Sequence, residues 1–110
     1  LQPTPLLQVA DRLGQLTGMP PLVHQGGLDH VETVILVSGS GTGLLPKVDA
    51  DLFVTGEPKH SIFHETFERG LNVIYAGHYD TETFGVKALA AHLEARFGLP
   101  WVFLDHPTGL

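Results

Sequence analysis

The sequence contains no cysteine. Disulfide cross-links, thiolate metal sites and cysteine nucleophiles are therefore excluded. The absence fits a reducing compartment, and we expect a cytoplasmic protein. Positive charge is also scarce, because six lysines and arginines face twelve acidic residues and give a net charge of −6. We expect no nucleic-acid partner, since binding to nucleic acid requires a basic surface.

Long apolar runs are absent too. No segment approaches the roughly 20 apolar residues that a membrane-spanning helix requires, so we expect no membrane association. At 110 residues and 43% hydrophobic content, the chain is long enough for one small core, and we assign residues 1–110 to a single domain. The first residue is leucine rather than methionine, which indicates a trimmed chain or a piece of a longer one.

The hydrophobic pattern predicts helices alternating with strands. We predict helices at 4–17, 58–69 and 82–97, strands at 33–38, 51–55, 71–76 and 101–104, a short extended piece at 22–24 and a helical turn at 44–48. The continuous apolar run at 33–38 indicates a strand that is covered on both faces. The helix at 82–97 is expected to bury an apolar stripe formed by Val86, Leu89, Ala90, Leu93 and Phe97. This order predicts an α/β layered sandwich, with a largely parallel or mixed sheet flanked by helices.

Three of these strands end in polar turns that contain glycine, at 38–41, 55–57 and 77–79. The carboxyl ends of parallel strands share one edge of a sheet, where ligands commonly bind. We therefore expect the side chains of the three turns to converge.

His78 and Glu82 are the strongest candidates for chemistry. We place His78 on the turn after a strand and Glu82 in the first turn of the next helix, with Asp80 or Thr81 as the helix cap. An imidazole nitrogen and a carboxylate oxygen together suit zinc, iron or manganese. The alternative is a loop histidine with no ligand, beside a glutamate that favours a helix amino terminus.

Two further motifs have a structural and a functional interpretation. The glycine loop at 39–43 most simply forms a tight turn that needs positive φ, although its amides suit a phosphate at a helix amino terminus. It lacks the third glycine of a dinucleotide fingerprint and the lysine of a P-loop. His60 and His64 are four residues apart. Such a pair more often forms a solvated stripe than a metal chelate.

The ordered motifs resemble a known family. Val-Ser-Gly-Ser-Gly at 37–41, Asp-Leu-Phe-Val-Thr-Gly-Glu at 51–57, His64 on the next helix and Gly-His-Tyr-Asp-Thr-Glu at 77–82 follow one another, and the chain closes with Phe-Leu-Asp-His-Pro-Thr-Gly-Leu. This set is similar to the carboxyl-terminal half of the Nif-three-like family, whose members are named GTP cyclohydrolase one type two homologues. The similarity extends over essentially all of the chain.

The resemblance implies a longer protein of two similar α/β halves, with a two-metal site between them and hexameric rings of subunits. His78 and Glu82 match the family's metal ligands, which gives two divalent ions per full-length subunit. Glu57 and His64 match positions that line the same cavity, and we interpret them as proton-transfer residues. The family's other ligands, an adjacent histidine pair and an aspartate, belong to a half that is absent here.

These observations leave three functional hypotheses. The first is half of a metal-dependent hydrolase acting on a nucleotide or another phosphate-bearing substrate. The second is a non-catalytic metal-binding or protein-interaction module that assembles into rings. The third is a nucleotide-binding domain that uses only the glycine loop.

Overall fold

The computed structural model describes residues 2–110. Its strands are β1 (Thr4–Pro5), β2 (Leu22–His24), β3 (His30–Val31), β4 (Val34–Leu36), β5 (Leu52–Thr55) and β6 (Asn72–Tyr75). Its α-helices are α1 (Leu6–Thr17), α2 (Phe63–Glu68) and α3 (His78–Phe97), and two 3-10 helices span Thr42–Lys47 and His60–Ile62.

A four-stranded mixed sheet organises the domain, in the order β2, β6, β5, β4. Strands β4, β5 and β6 are parallel, whereas β2 pairs antiparallel with β6. Strands β1 and β3 form a separate two-stranded antiparallel ladder. The predicted α/β class with a mixed sheet is therefore confirmed.

The core lies on both faces of this sheet. Successive residues of a strand point to opposite faces, so Leu52 and Val54 of β5 face one side while Phe53 faces the other. The first face packs against α1 through Leu6 and Ala10. The second face packs beneath the 3-10 segment that begins at Thr42. Every residue of β5 and β6 is buried, including the polar Thr55 and Asn72.

The prediction that the strand at 33–38 is covered on both faces is wrong. The strand is shorter, spanning Val34–Leu36, and it occupies an edge of the sheet. Leu36 remains 64% exposed. The segment at 33–38 is as apolar as a central strand. Hydrophobicity alone, however, does not distinguish an edge strand from a central one.

Two helix boundaries also differ from the predictions. The first helix begins at Leu6 rather than at residue 4, because Thr4 and Pro5 pair with β3. The helix predicted at 58–69 begins later, since Lys59 is still extended, with φ −123° and ψ 125°. A 3-10 turn, His60–Ile62, then leads into the short helix α2.

Helix α3 is the largest departure. It begins at His78, with Gly77 in the capping position and no side-chain cap, so the assignment of Asp80 or Thr81 as cap is wrong. None of its residues is buried, and the stripe that includes Val86, Leu89 and Phe97 is exposed. The expected burial of that stripe is therefore not found.

The strand predicted at 101–104 is also wrong. Residues 98–110 form a coil that returns along α3 rather than joining the sheet. Trp101 Nε1 donates to Glu94 Oε2 at 3.0 Å, and the Lys87 ammonium lies 4.2 Å from the centre of the Phe103 ring. A short apolar run does not distinguish a strand from a segment that packs on a helix. No helix in the described part of the chain is both long enough and apolar enough to cross a bilayer.

A buried amide fixes the connection between β2 and β3. Asn72 is 1% exposed, its Oδ1 accepts from Gly27 N at 2.9 Å, and its Nδ2 donates to Leu28 O at 2.9 Å. We predict that Asn72→Leu lowers the free energy of unfolding by roughly 2–4 kcal/mol, because two backbone groups lose their partner. Urea denaturation measures this. The control Gln8→Leu, on the exposed side of α1, should change stability by less than about 0.5 kcal/mol. Equal effects of the two substitutions would contradict this role of Asn72.

Candidate functional site

Three loops are joined at the carboxyl edge of the parallel strands. Gly56 N donates to Gly39 O at 2.9 Å, and Gly77 N donates to Gly56 O at 2.9 Å. These hydrogen bonds extend the pairing of β4, β5 and β6 beyond the strands themselves. The expected convergence of the turns at 38–41, 55–57 and 77–79 is therefore confirmed.

Glycine is required where these loops meet. A Cβ on Gly56 would lie 2.7 Å from His78 Cα, which is closer than real contacts allow, and 3.0 Å from Gly77 O, which is tighter than most real contacts. Gly39 has φ 65°, and a Cβ there would lie 3.2 Å from His78 Nε2 and 3.0 Å from Glu82 Cδ. Because glycine has no side chain, these two positions leave space for His78 and Glu82 to approach the loops.

The glycine loop forms the predicted tight turn, and two of its amides already have partners. Gly39 N donates to Thr81 Oγ1 at 2.9 Å, and Gly41 N donates to Thr55 Oγ1 at 3.0 Å. Neither amide is left to bind a phosphate, which weakens the anion-binding interpretation. Thr81 acts here as a link between α3 and the loop rather than as a cap.

His78 stands between two carboxylates. Its Nε2 lies 3.4 Å from Glu82 Oε1, and its Nδ1 lies 3.2 Å from Glu57 Oε2. Because α3 already begins at His78, His78 and Glu82 are separated by one helical turn and share a face of the helix. Glu57 approaches from the loop after β5. All three side chains are partly exposed to solvent.

Ser40 joins this group, and the sequence did not single it out. A hydrogen bond from the Ser40 side chain is the main reason that the pKa of Glu57 lies below its usual 4.5, followed by the hydrogen bond to His78. The charge of Lys59 lowers the Glu57 pKa further. In the sequence, the only feature that could have pointed to Ser40 as a site residue is its position between two glycines of a converging turn.

The donor set fits part of a metal site. Two ligands of one tetrahedral ion with bonds of about 2.0–2.1 Å are about 3.4 Å apart. The 3.4 Å between His78 Nε2 and Glu82 Oε1 matches that separation. Glu57 is on the opposite nitrogen of the ring, where carboxylates commonly orient a metal-binding histidine. Residues 2–110 contain no cluster of three His, Cys, Asp or Glu side chains that would surround one ion. Two donors are too few for a closed site.

His64 and His60 lie apart from this group. His64 is exposed on α2, with its ring 5.4 Å from that of Phe63. Within the described residues, no hydrogen bond or ion pair joins His64 to Glu57, His78 or Glu82. The two histidines do not form the helical pair that the sequence suggested, because His60 belongs to the 3-10 turn. The proton-transfer role of His64 stays a prediction.

The contacts of Ser40 predict the pH response of the site. We expect Ser40→Ala to raise the pKa of Glu57 toward 4.5, because the carboxylate loses its main hydrogen-bond donor. Glu57 should then protonate at a higher pH than in the unchanged chain. A carbon-13 NMR titration of the Glu57 carboxyl measures the shift, with Ser61→Ala as the control on the exposed 3-10 turn. A Glu57 pKa that is unchanged by Ser40→Ala would contradict the assignment.

Two named proteins are similar to this chain in sequence. A protein of Deinococcus radiodurans named GTP cyclohydrolase 1 type 2 homolog is 53% identical over 108 residues, covering 96% of this chain and 41% of its own length. A protein of Archaeoglobus fulgidus with the same name is 41% identical and is also matched over 41% of its length. The chain thus spans less than half the length of these relatives.

Two solved structures are similar to this chain in fold and are also longer than it. The crystal structure of TTHA1606 from Thermus thermophilus superposes with a TM-score of 0.95 and 98% sequence identity, over 99% of this chain and 45% of that one. The structural-genomics protein ybgI, described as of unknown function, has a TM-score of 0.88 and 31% identity, over 97% of this chain and 45% of its own.

The overall sequence and the fold are thus shared with these proteins. The model of the Duf34/NIF3 (NGG1p interacting factor 3) family matches residues 1–108, and the chain belongs to that family.

Proposed function

We propose that this chain supplies part of a divalent-metal site in a metal-dependent hydrolase. His78 Nε2 and Glu82 Oε1 are the two ligands that it contributes, and the 3.4 Å between them is the observation that carries the proposal. The remaining ligands come from a part of the protein that these 110 residues do not include. The full site holds two ions of zinc, iron or manganese per full-length subunit.

Glu57 has a positioning role in this proposal. Its carboxylate accepts from Ser40 and faces Nδ1 of His78, which leaves Nε2 directed toward Glu82. A lowered pKa makes Glu57 a weak base, so holding the imidazole suits it better than the proton transfer that the family resemblance suggested. His64 is then the remaining candidate for proton transfer.

The reaction class follows from this donor set. A divalent ion at this position supplies Lewis acidity toward a phosphoryl or carbonyl oxygen. The chain's own residues orient the imidazole and leave an open approach, since the glycines at the three loop ends present no side chains. A nucleotide or another phosphate-bearing molecule is the proposed substrate. The relatives are named as homologues of a GTP cyclohydrolase, and these names are the support for a cyclohydrolase-like activity.

A non-catalytic module is the second candidate, and helix α3 favours it. The helix has no buried residue, and Leu89, Phe97 and Val102 leave large apolar surfaces exposed. Such patches commonly mark protein interfaces. In this version the metal site is structural, and the apolar surface assembles subunits into a ring. The absence of cysteine supports a reducing compartment for either candidate, and we propose the cytoplasm.

Metal binding tests the site directly. We predict that the unchanged chain binds zinc weakly and that His78→Ala combined with Glu82→Ala abolishes this binding, because both donors are lost. Glu57→Gln should weaken zinc binding by about 10- to 100-fold, as expected for a residue that orients a ligand. Competition with a zinc-sensitive dye measures the zinc affinity of the unchanged chain, the double variant and Glu57→Gln.

The control is His60→Ala, which removes a neighbouring histidine outside the cluster and should leave zinc affinity unchanged. Zinc affinity that survives the double substitution, or is lost with His60→Ala, would refute the assignment. Turnover separates the two candidate functions. If the protein is an enzyme, His78→Ala in the longer protein abolishes both metal binding and nucleotide hydrolysis. If it is a non-catalytic module, the unchanged longer protein binds metal but does not hydrolyse nucleotides.

A further inference from the structure

A cavity opens next to the loop that carries Glu57. It measures about 440 Å³ and is lined by His24, Pro58, Lys59, His60 and Phe63. Small-molecule sites in proteins typically enclose about 300–1,000 Å³. Pro58 directly follows Glu57 in the chain, so the cavity and the Glu57–His78–Glu82 group share one loop.

Aromatic rings form the inner part of this cavity. The His24 ring lies 4.8 Å from the Phe63 ring, nearly perpendicular to it at 87°. The His24 ring also lies 5.2 Å from the ring of Tyr75. Strand β2 and helix α2 thus bring two ring systems to one opening, and flat aromatic ligands stack on such surfaces.

One buried polar atom of a lining residue, His24 Nδ1, has no hydrogen-bond partner among the described residues. Buried polar groups are nearly always paired, so this nitrogen is available to a polar group of a ligand. Burial also lowers the pKa of His24, which favours the neutral imidazole, with one donor and one acceptor nitrogen.

The lining of the cavity includes one cation, Lys59. Lys59 and His60 are exposed beside the opening, in a chain whose net charge is −6. Lys59 lies close enough to Glu57 for its charge to lower the Glu57 pKa. Lys59 lines the cavity and follows Glu57 by two residues, so its ammonium can attract an anionic group at this opening.

We propose that this cavity binds the heteroaromatic ring of a nucleotide, stacked against Phe63 and His24, with its phosphate directed toward Lys59. The inference rests on the proposed function for one point only, the position of the reacting group beside His78 and Glu82. Ring binding itself requires no metal. The cavity thereby narrows the substrate class from any phosphate ester to a phosphate that carries a planar heteroaromatic base.

Titration with adenosine monophosphate in the presence of EDTA tests the proposal on the chain as it exists. Amide NMR signals of His24, Lys59 and Phe63 should shift together. Phe63→Leu should weaken binding about tenfold, which is typical for the loss of one base-stacking side chain. Lys59→Gln should weaken binding of the nucleotide but not of adenosine, because only the nucleotide carries the phosphate.

Two matched variants control for general effects. Phe84→Leu removes an exposed ring on α3, and Lys47→Gln removes a lysine from the other 3-10 helix; both should leave binding unchanged. Dispersed amide spectra establish that each variant is folded. Lys59 is exposed, so Lys59→Gln keeps the test valid even where Phe63→Leu disturbs α2.

Three results would overturn the proposal. They are shifts confined to residues outside the cavity, ribose 5-phosphate binding as tightly as the nucleotide, and equal affinities for Phe63→Leu and Phe84→Leu. Zinc titration of the same variants separates the two proposals, since Phe63→Leu and Lys59→Gln should retain zinc. Retained zinc without nucleotide binding refutes the ring site alone, whereas nucleotide binding without zinc refutes the metal site alone.

Discussion

The hydrogen-bonded link from Gly39 through Gly56 to Gly77 is the constraint on which the site depends. Each glycine lies in the polar turn that follows a parallel strand, and two backbone hydrogen bonds of 2.9 Å hold the turns side by side. The spacing of the parallel strands therefore sets the spacing of the functional groups. Glu57 follows the middle glycine and His78 follows the last, so their separation is fixed by backbone rather than by flexible side chains. Glu82 joins them because α3 begins at His78, which brings a residue one turn later onto the same side.

Much of this arrangement was predictable from the sequence, because it depends on local patterns. Apolar runs ending in glycine located β5 and β6, and the parallel order of the strands placed their turns at one edge. The pairing of His78 with Glu82 followed from the turn between strand and helix. Ser40 was missed because a serine between glycines has no distinctive spacing, and its contact with Glu57 arises only after two distant loops meet. The edge position of β4 was missed for the same reason, since neighbours in a sheet are not encoded in one strand's hydrophobicity.

Helix α3 shows where periodicity misleads. Its apolar stripe satisfies the pattern of a core helix, yet none of its residues is buried. A stripe predicts that a surface will be covered but does not say by what. The candidate metal donors are likewise incomplete, because His78 and Glu82 are two ligands and two ligands do not enclose an ion. Both features agree with a chain that spans only 41–45% of the length of its relatives. In the proposed function, partners for the helix and for the ion come from a part of the longer protein that these 110 residues do not include.

The central claim is that His78 and Glu82 hold one ion together while Glu57 orients the imidazole. An anomalous-difference map from crystals of this chain grown with zinc tests it most directly. We expect a peak about 2.0–2.2 Å from both His78 Nε2 and a Glu82 carboxylate oxygen, with Glu57 still on Nδ1. A zinc peak bonded to Nδ1 and Glu57 instead, or zinc bound elsewhere while these two donors stay unliganded, would contradict the account.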